Sequence, residues 1–146
     1  VVSACCSEDG LKLAVGTAEG SIGVVDVMTH GYATALRSHR GGVAAVAIDP
    51  SVERDEFATA SEDCTIRVWD LLTGAQRYQF SSPDDEPTCI AYAPPRRRRD
   101  GHAGAARHLV AGYASGAMRV FDIPSTSTLV ECQDHRGAVQ RVSSGP

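Results

Sequence analysis

Three stretches of this chain end alike and recur at related spacings. They are Ser21-Ile22-Gly23-Val24-Val25-Asp26, Thr65-Ile66-Arg67-Val68-Trp69-Asp70 and Ala117-Met118-Arg119-Val120-Phe121-Asp122. Each closes on an apolar or aromatic residue followed by Asp, and each follows a turn rich in small or polar residues. The steps from Asp to Asp are 44 and 52 residues. A second marker keeps the same register: His39-Arg40-Gly41-Gly42-Val43 returns as His135-Arg136-Gly137-Ala138-Val139, 96 residues later, the total of the two steps. A repeat of this period means a unit of supersecondary structure that buries its faces only by stacking on its neighbours. The longer step takes up its extra residues in 94–108, a Pro-, Arg-, Gly- and Ala-rich stretch of loop composition.

Within each unit the apolar runs are short, rich in β-branched residues and bounded by turn signals. The pattern predicts strands over 2–6, 11–16, 21–26 and 33–38 in the first unit. It predicts 43–48, 56–61, 65–70 and 76–80 in the second, then 88–93, 108–113, 117–122 and 128–132 in the third. No segment carries a helical stripe of helix length. Four strands per unit, repeated, predict blades of a β-propeller. Gly10, Gly16, Gly20, Gly74, Gly112 and Gly116 fall at predicted turns or strand ends, where a positive φ or a close backbone approach is expected.

The middle unit carries the strongest likeness to a known family. Ser38-His39-Arg40-Gly41-Gly42-Val43 introduces Ala58-Thr59-Ala60-Ser61-Glu62-Asp63-Cys64-Thr65-Ile66-Arg67-Val68-Trp69-Asp70, and this resembles the WD40-repeat β-propellers. The resemblance implies an all-β fold: a propeller fragment of about three four-stranded antiparallel blades plus one strand of a fourth. The expected units are 1–38, 39–82, 83–134 with the Arg-rich insertion 94–108, and 135–146, the start of a further repeat. The resemblance also implies a structural hydrogen-bond network of His39, Thr59, Asp63 and Trp69. The chemistry agrees: a turn carboxylate can accept from the imidazole, the imidazole can meet the Thr hydroxyl, and that hydroxyl can meet the indole N–H. In the third unit Pro83, Ala111, Ser115 and Phe121 stand at those places, and in the first Val15, Glu19 and Val25. Both flanking blades are therefore expected to rely on apolar packing alone.

Composition narrows the partners. With 14 Lys and Arg against 18 Asp and Glu, the chain is not one that coats a phosphate backbone, so no nucleic acid is expected. No apolar run approaches the ~18 residues of a membrane span, so no membrane is expected. The five Cys form no C-x-x-C pair and are expected to be reduced thiols buried in strands, in an intracellular setting. Adjacent Cys5 and Cys6 would point to opposite strand faces and cannot share one metal ion. No Gly-rich loop runs into a helix, so no nucleotide or other cofactor is expected. His39, Asp63, Thr59 and Ser61 also spell an acid, base and nucleophile set. Catalysis needs an exposed nucleophile and an oxyanion hole, and the structural network fits the spacing better.

Two loops stand out. Arg96-Arg97-Arg98-Arg99 reads as a basic finger for an acidic partner or as a solvated insertion bounded by Pro94-Pro95 and Gly101. Ser81-Ser82-Pro83-Asp84-Asp85-Glu86-Pro87 reads as a stiff acidic connector or as a docking or phosphorylation loop. The phrases Phe80 to Pro87, Ala111 to Asp122 and Asp134 to Val139 resemble a branch of the WD40 family found at centrioles and basal bodies. That resemblance implies a non-enzymatic, microtubule-associated scaffold of the cytoskeleton, with tubulin or other centriolar and axonemal proteins as partners. Arg37, Arg40, Arg67, Arg96–Arg99, Arg119, Arg136 and Arg141 are the candidate cations for it. An adaptor propeller for a ubiquitin ligase or signalling complex is the alternative. Closed propellers typically need about 4–8 blades, so the chain is expected to be part of a larger propeller whose remaining blades lie elsewhere.

Overall fold

A computed structural model describes residues 1–51, 54–94, 107–133 and 135–143, with the backbone alone at 33–36. Twelve strands are described: β1 (Ser3–Cys6), β2 (Lys12–Gly16), β3 (Ser21–Asp26), β4 (Gly31–Arg37), β5 (Val43–Ile48), β6 (Glu56–Ser61), β7 (Thr65–Asp70), β8 (Gln76–Ser81), β9 (Pro87–Tyr92), β10 (His108–Tyr113), β11 (Met118–Asp122) and β12 (Ser127–Cys132). They form three antiparallel meanders, β1-β2-β3-β4, β5-β6-β7-β8 and β9-β10-β11-β12. The first strand β5 of the middle sheet lies beside β1 on one side and β9 on the other, and each sheet runs outward from there. No helix is long and apolar enough to cross a membrane among the described residues.

The core lies between the sheets. β6 is buried at all six positions because both its faces are covered. Ala58 and Ala60 join Ile90, Leu109, Tyr113 and Phe121 between the second and third blades. Phe57 and Trp69 join Ala14, Ile22 and Val24 between the first and second.

The repeat reaches below the level of the strand. Register shifts fall between Val24 and Val25, between Val68 and Trp69, and between Val120 and Phe121, with the same steps as the sequence markers. Positive φ recurs at His30, Gly74 and Thr126 in the turn before each outer strand, and at Gly20, Cys64 and Gly116 in the turn before each third strand. The repeated Asp explains itself here. Asp26, Asp70 and Asp122 each accept the amide of the residue three further on, namely Thr29, Thr73 and Ser125. Each carboxylate closes the turn to the outer strand.

The joints between blades are also repeated. Val43, buried against the first blade, donates its amide to Thr17 O at 2.9 Å, and Val139 donates to Tyr113 O at 3.1 Å. Each Val fills a notch left by a glycine. A Cβ on Gly16 would come 2.4 Å from Val43 Cγ1, and one on Gly112 would come 2.5 Å from Val139 Cγ1. Gly16→Ala is therefore expected to lower stability by about 1–3 kcal/mol through overpacking. Adding Val43→Ala should return part of that loss in a denaturation curve. A single variant as stable as the parent would show that the joint gives way freely.

Residues 135–143 open the partial fourth blade. They seat on the third blade through Val139. They form no hydrogen-bonded ladder of their own among the described residues, where no second strand follows to pair with them.

Two expectations change. The cysteines are not uniformly buried strand thiols: only Cys89 is buried, Cys6 is exposed, and Cys64 lies in a turn at φ 63°. The third blade does not rely on apolar packing alone, as its polar contacts show below.

Candidate functional site

The middle blade brings four distant side chains together. His39 lies in the loop before β5, Thr59 on β6, Asp63 in the β6–β7 turn and Trp69 on β7. His39 Nδ1 is 3.0 Å from Asp63 Oδ2, and His39 Nε2 is 2.7 Å from Thr59 Oγ1. The Trp69 indole N–H donates to Thr59 Oγ1 at 2.9 Å. The pattern is satisfied with Nδ1–H donating to the carboxylate and the Thr hydroxyl donating to Nε2. Asp63 also accepts the Arg40 amide at 3.0 Å and the Thr65 hydroxyl at 2.6 Å. The Trp69 ring meets His39 edge-on and stacks on Phe57.

This geometry locks a loop to a sheet and is closed to a substrate. Thr59 is fully buried and His39 nearly so. The Thr59 hydroxyl already meets both ring partners, so no reacting atom reaches a nucleophile there. Among the described residues no three His, Cys, Asp or Glu side chains converge as a metal site.

Electrostatics sets a pH response. Burial lowers the His39 pKa below 6.5, even though Asp63 acts the other way. Burial alone would raise the Asp63 carboxyl, but hydrogen bonds from Thr65, the Arg40 amide and His39 bring it down from 3.8 to about 2. Both folded values lie below the unfolded ones, so both groups stabilise the fold at neutral pH and less in acid. The unfolded chain takes up a proton at His39 below 6.5 that the folded chain refuses, and at Asp63 below 3.8. The melting temperature is expected to fall in two stages, one starting near 6.5 and one between 3.8 and about 2. His39→Gln should remove the first stage. A melting temperature that ignores pH from about 7 to about 5 in the parent would contradict this assignment.

The third blade solves the same problem with other residues. Asp85, in the loop before β9, accepts the Ser115 amide at 3.1 Å and its hydroxyl at 2.6 Å. The acid thus sits in the loop and its partner in the turn, the reverse of the middle blade. Arg119 stacks over the Tyr113 ring at 4.4 Å and donates to Ser82 Oγ at 2.7 Å. Arg67, at the matching place on β7, donates to the Ser38 carbonyl at 2.5 Å. Arg67 and Arg119, read from sequence as candidate surface cations, are therefore engaged within the fold. Arg37, Arg40, Arg136 and Arg141 are exposed. Arg96, Arg97, Arg98 and Arg99 lie outside the described residues.

A polar cluster that sequence reasoning missed sits at the other end of β6. Glu56 is buried and pairs with Arg77 at 2.6 Å and with Arg107, which precedes β10. Arg77 also pairs with Asp70. The only trace in the sequence is an acidic residue opening a strand that is otherwise apolar or small.

Radial four-stranded meanders joined at repeated notches define a propeller, and the loop-to-sheet lock defines its repeat type. A family pattern described as "WD domain, G-beta repeat" matches residues 32–70, and the chain has the fold of the WD40-type β-propellers. It is 36% identical over 146 residues to WD repeat-containing protein 90 of Homo sapiens, covering all of this chain and 8% of that protein. It is 42% identical over 146 residues to Centriole proteome protein 16 of Chlamydomonas reinhardtii, covering all of this chain and 6% of that protein. The chain thus spans less than a tenth of the length of these curated relatives. The solved structure of U3-55K superposes with a TM-score of 0.82 at 14% identity, over 96% of this chain and 41% of that one, a likeness of fold.

Proposed function

We propose that this chain is part of a non-enzymatic interaction scaffold of the centriole, basal body or cilium that contacts microtubules. The observation carrying this reading is the match of the whole chain, at 42% identity, to Centriole proteome protein 16. The site geometry supports the non-enzymatic part, because the His39–Asp63–Thr59 set is sealed in the blade. The exposed Arg37, Arg40, Arg136 and Arg141 supply cations that an acidic tubulin surface would meet, although the chain as a whole is acidic. Arg96 to Arg99 are proposed to add to them.

Sedimentation of the native protein with polymerised microtubules tests this. Binding should weaken as salt rises and fall severalfold when Arg96 to Arg99 are replaced by Ser together with Arg40→Ser and Arg136→Ser. Equal pelleting of parent and variant would remove the basic contact. A tagged protein found in the nucleolus, or co-migrating with ligase subunits rather than the cytoskeleton, would overturn the scaffold's placement.

A further inference from the structure

The acidic loop between β8 and β9 holds a hydroxyl poised against a cation. Ser82-Pro83 is the one Ser-Pro or Thr-Pro pair in the sequence, and Asp84, Asp85 and Glu86 follow it. Ser81, Pro83 and Asp84 are exposed and Ser82 is half-buried, so the segment on both sides of the hydroxyl is open to solvent. Proline after the acceptor has no N–H to satisfy, the backbone feature that proline-directed kinases select.

The surroundings of Ser82 Oγ already suit an anion. Arg119 Nη1 donates to it at 2.7 Å, and Tyr113 OH lies 3.3 Å away. The guanidinium carbon lies over the Tyr113 ring, 4.4 Å from its centroid, and the other edge of the group contacts Glu131 at 3.0 and 3.1 Å. Glu131 is more than half exposed, so it can yield Arg119 and return to water. Ser81, one residue earlier, has no arginine contact among the described residues. Ser38, the matching residue of the middle blade, has an arginine on its carbonyl but is followed by His39. Only Ser82 combines the proline with a fixed guanidinium.

We propose that Ser82 is a phosphorylation site for a proline-directed protein kinase and that Arg119 receives the phosphate. The co-reactant is a nucleoside triphosphate with its divalent cation. A bond forms between Ser82 Oγ and the γ-phosphorus, the bond from that phosphorus to the bridging oxygen breaks with its electron pair leaving on the diphosphate, and the hydroxyl proton passes to the kinase's base. The product offers three acceptor oxygens and close to two negative charges to a planar donor fork, a strong charge-assisted pairing. The same charge stands beside Asp84, Asp85 and Glu86 on its own loop and draws Arg119 away from Glu131 on β12. Asp85 holds Ser115, so like-charge repulsion in the loop loosens that latch and changes the rim presented to a partner.

The test treats the native protein with a proline-directed kinase and magnesium ATP, then maps the phosphate by mass spectrometry. Phosphate is expected at Ser82, absent in Ser82→Ala and several times slower to appear in Pro83→Ala. A phosphatase should then release it several times faster from Arg119→Gln than from the parent. Arg119→Lys, which keeps the charge but not the fork, should fall between them and serves if Arg119→Gln does not fold. An unmodified Ser82 in the folded protein, while a peptide of residues 78–90 is modified, would overturn the site. Equal phosphatase rates in parent and both variants would overturn the role of Arg119.

Discussion

Replacing Trp69 by Ala is expected to destabilise the propeller by about 3–5 kcal/mol, the cost of emptying a large buried aromatic site. Trp69 is only 4% exposed, fills the seam between the first two blades and donates to Thr59. Trp69→Phe separates these contributions. It keeps most of the ring but removes the indole N–H that Thr59 Oγ1 accepts, leaving that hydroxyl its bond to His39, so it should cost about 1–3 kcal/mol. The third blade supplies the control, because it carries Phe121 where the middle blade has Trp69, and Ala111 where it has Thr59. Adding Thr59→Ala to Trp69→Phe should therefore cost less than the two single changes suggest. Equilibrium denaturation of all four proteins measures the coupling. Strict additivity would mean that the indole N–H contributes nothing through Thr59.

Glu56→Ala is expected to cost a similar amount, about 3–5 kcal/mol, by a different route. The carboxylate is 1% exposed and faces the third blade, where it joins Arg77 of β8 to Arg107 before β10. Its loss leaves Arg107, largely covered and lying 5.8 Å from the Tyr78 ring centroid, without its counter-charge. Arg77→Ala should cost less, since Arg77 is 42% exposed and Glu56 keeps Arg107. A Glu56→Ala protein that unfolds within about 1 kcal/mol of the parent would show that water replaces the carboxylate at little cost.

What can be read in advance follows from how each feature is encoded. The strands of the middle blade are legible because short β-branched runs alternate with turns and the whole pattern recurs. His39, Thr59, Asp63 and Trp69 can be placed because their residue types and spacing are those of a known repeat. The Glu56 cluster cannot. Its partners are 21 and 51 positions away on two sheets, and nothing local marks them. The third blade misleads for another reason. Ser115 in the turn reads as the loss of an acid, whereas the acid has moved to Asp85 across the same gap. Cys64 falls in the predicted turn between 56–61 and 65–70, but a cysteine gives no sign of the left-handed position that Gly20 and Gly116 fill in the other blades.

The glycine notch has a consequence for how such a chain grows over generations. At the joint opening the middle blade and at the one formed by Val139, one repeat contributes a glycine and the next a His-Arg-Gly-x-Val loop. A gene segment copied in that frame carries both halves of the joint, so tandem duplication yields a blade that already fits its neighbour. The joint between the second and third blades differs, with Ala60 in place of the glycine and Pro87, which has no amide to donate, in place of the valine. That seam is not interchangeable with the others, and recombination across it would join mismatched faces. The order of blades in this chain is thus written into its seams as well as into its sheets.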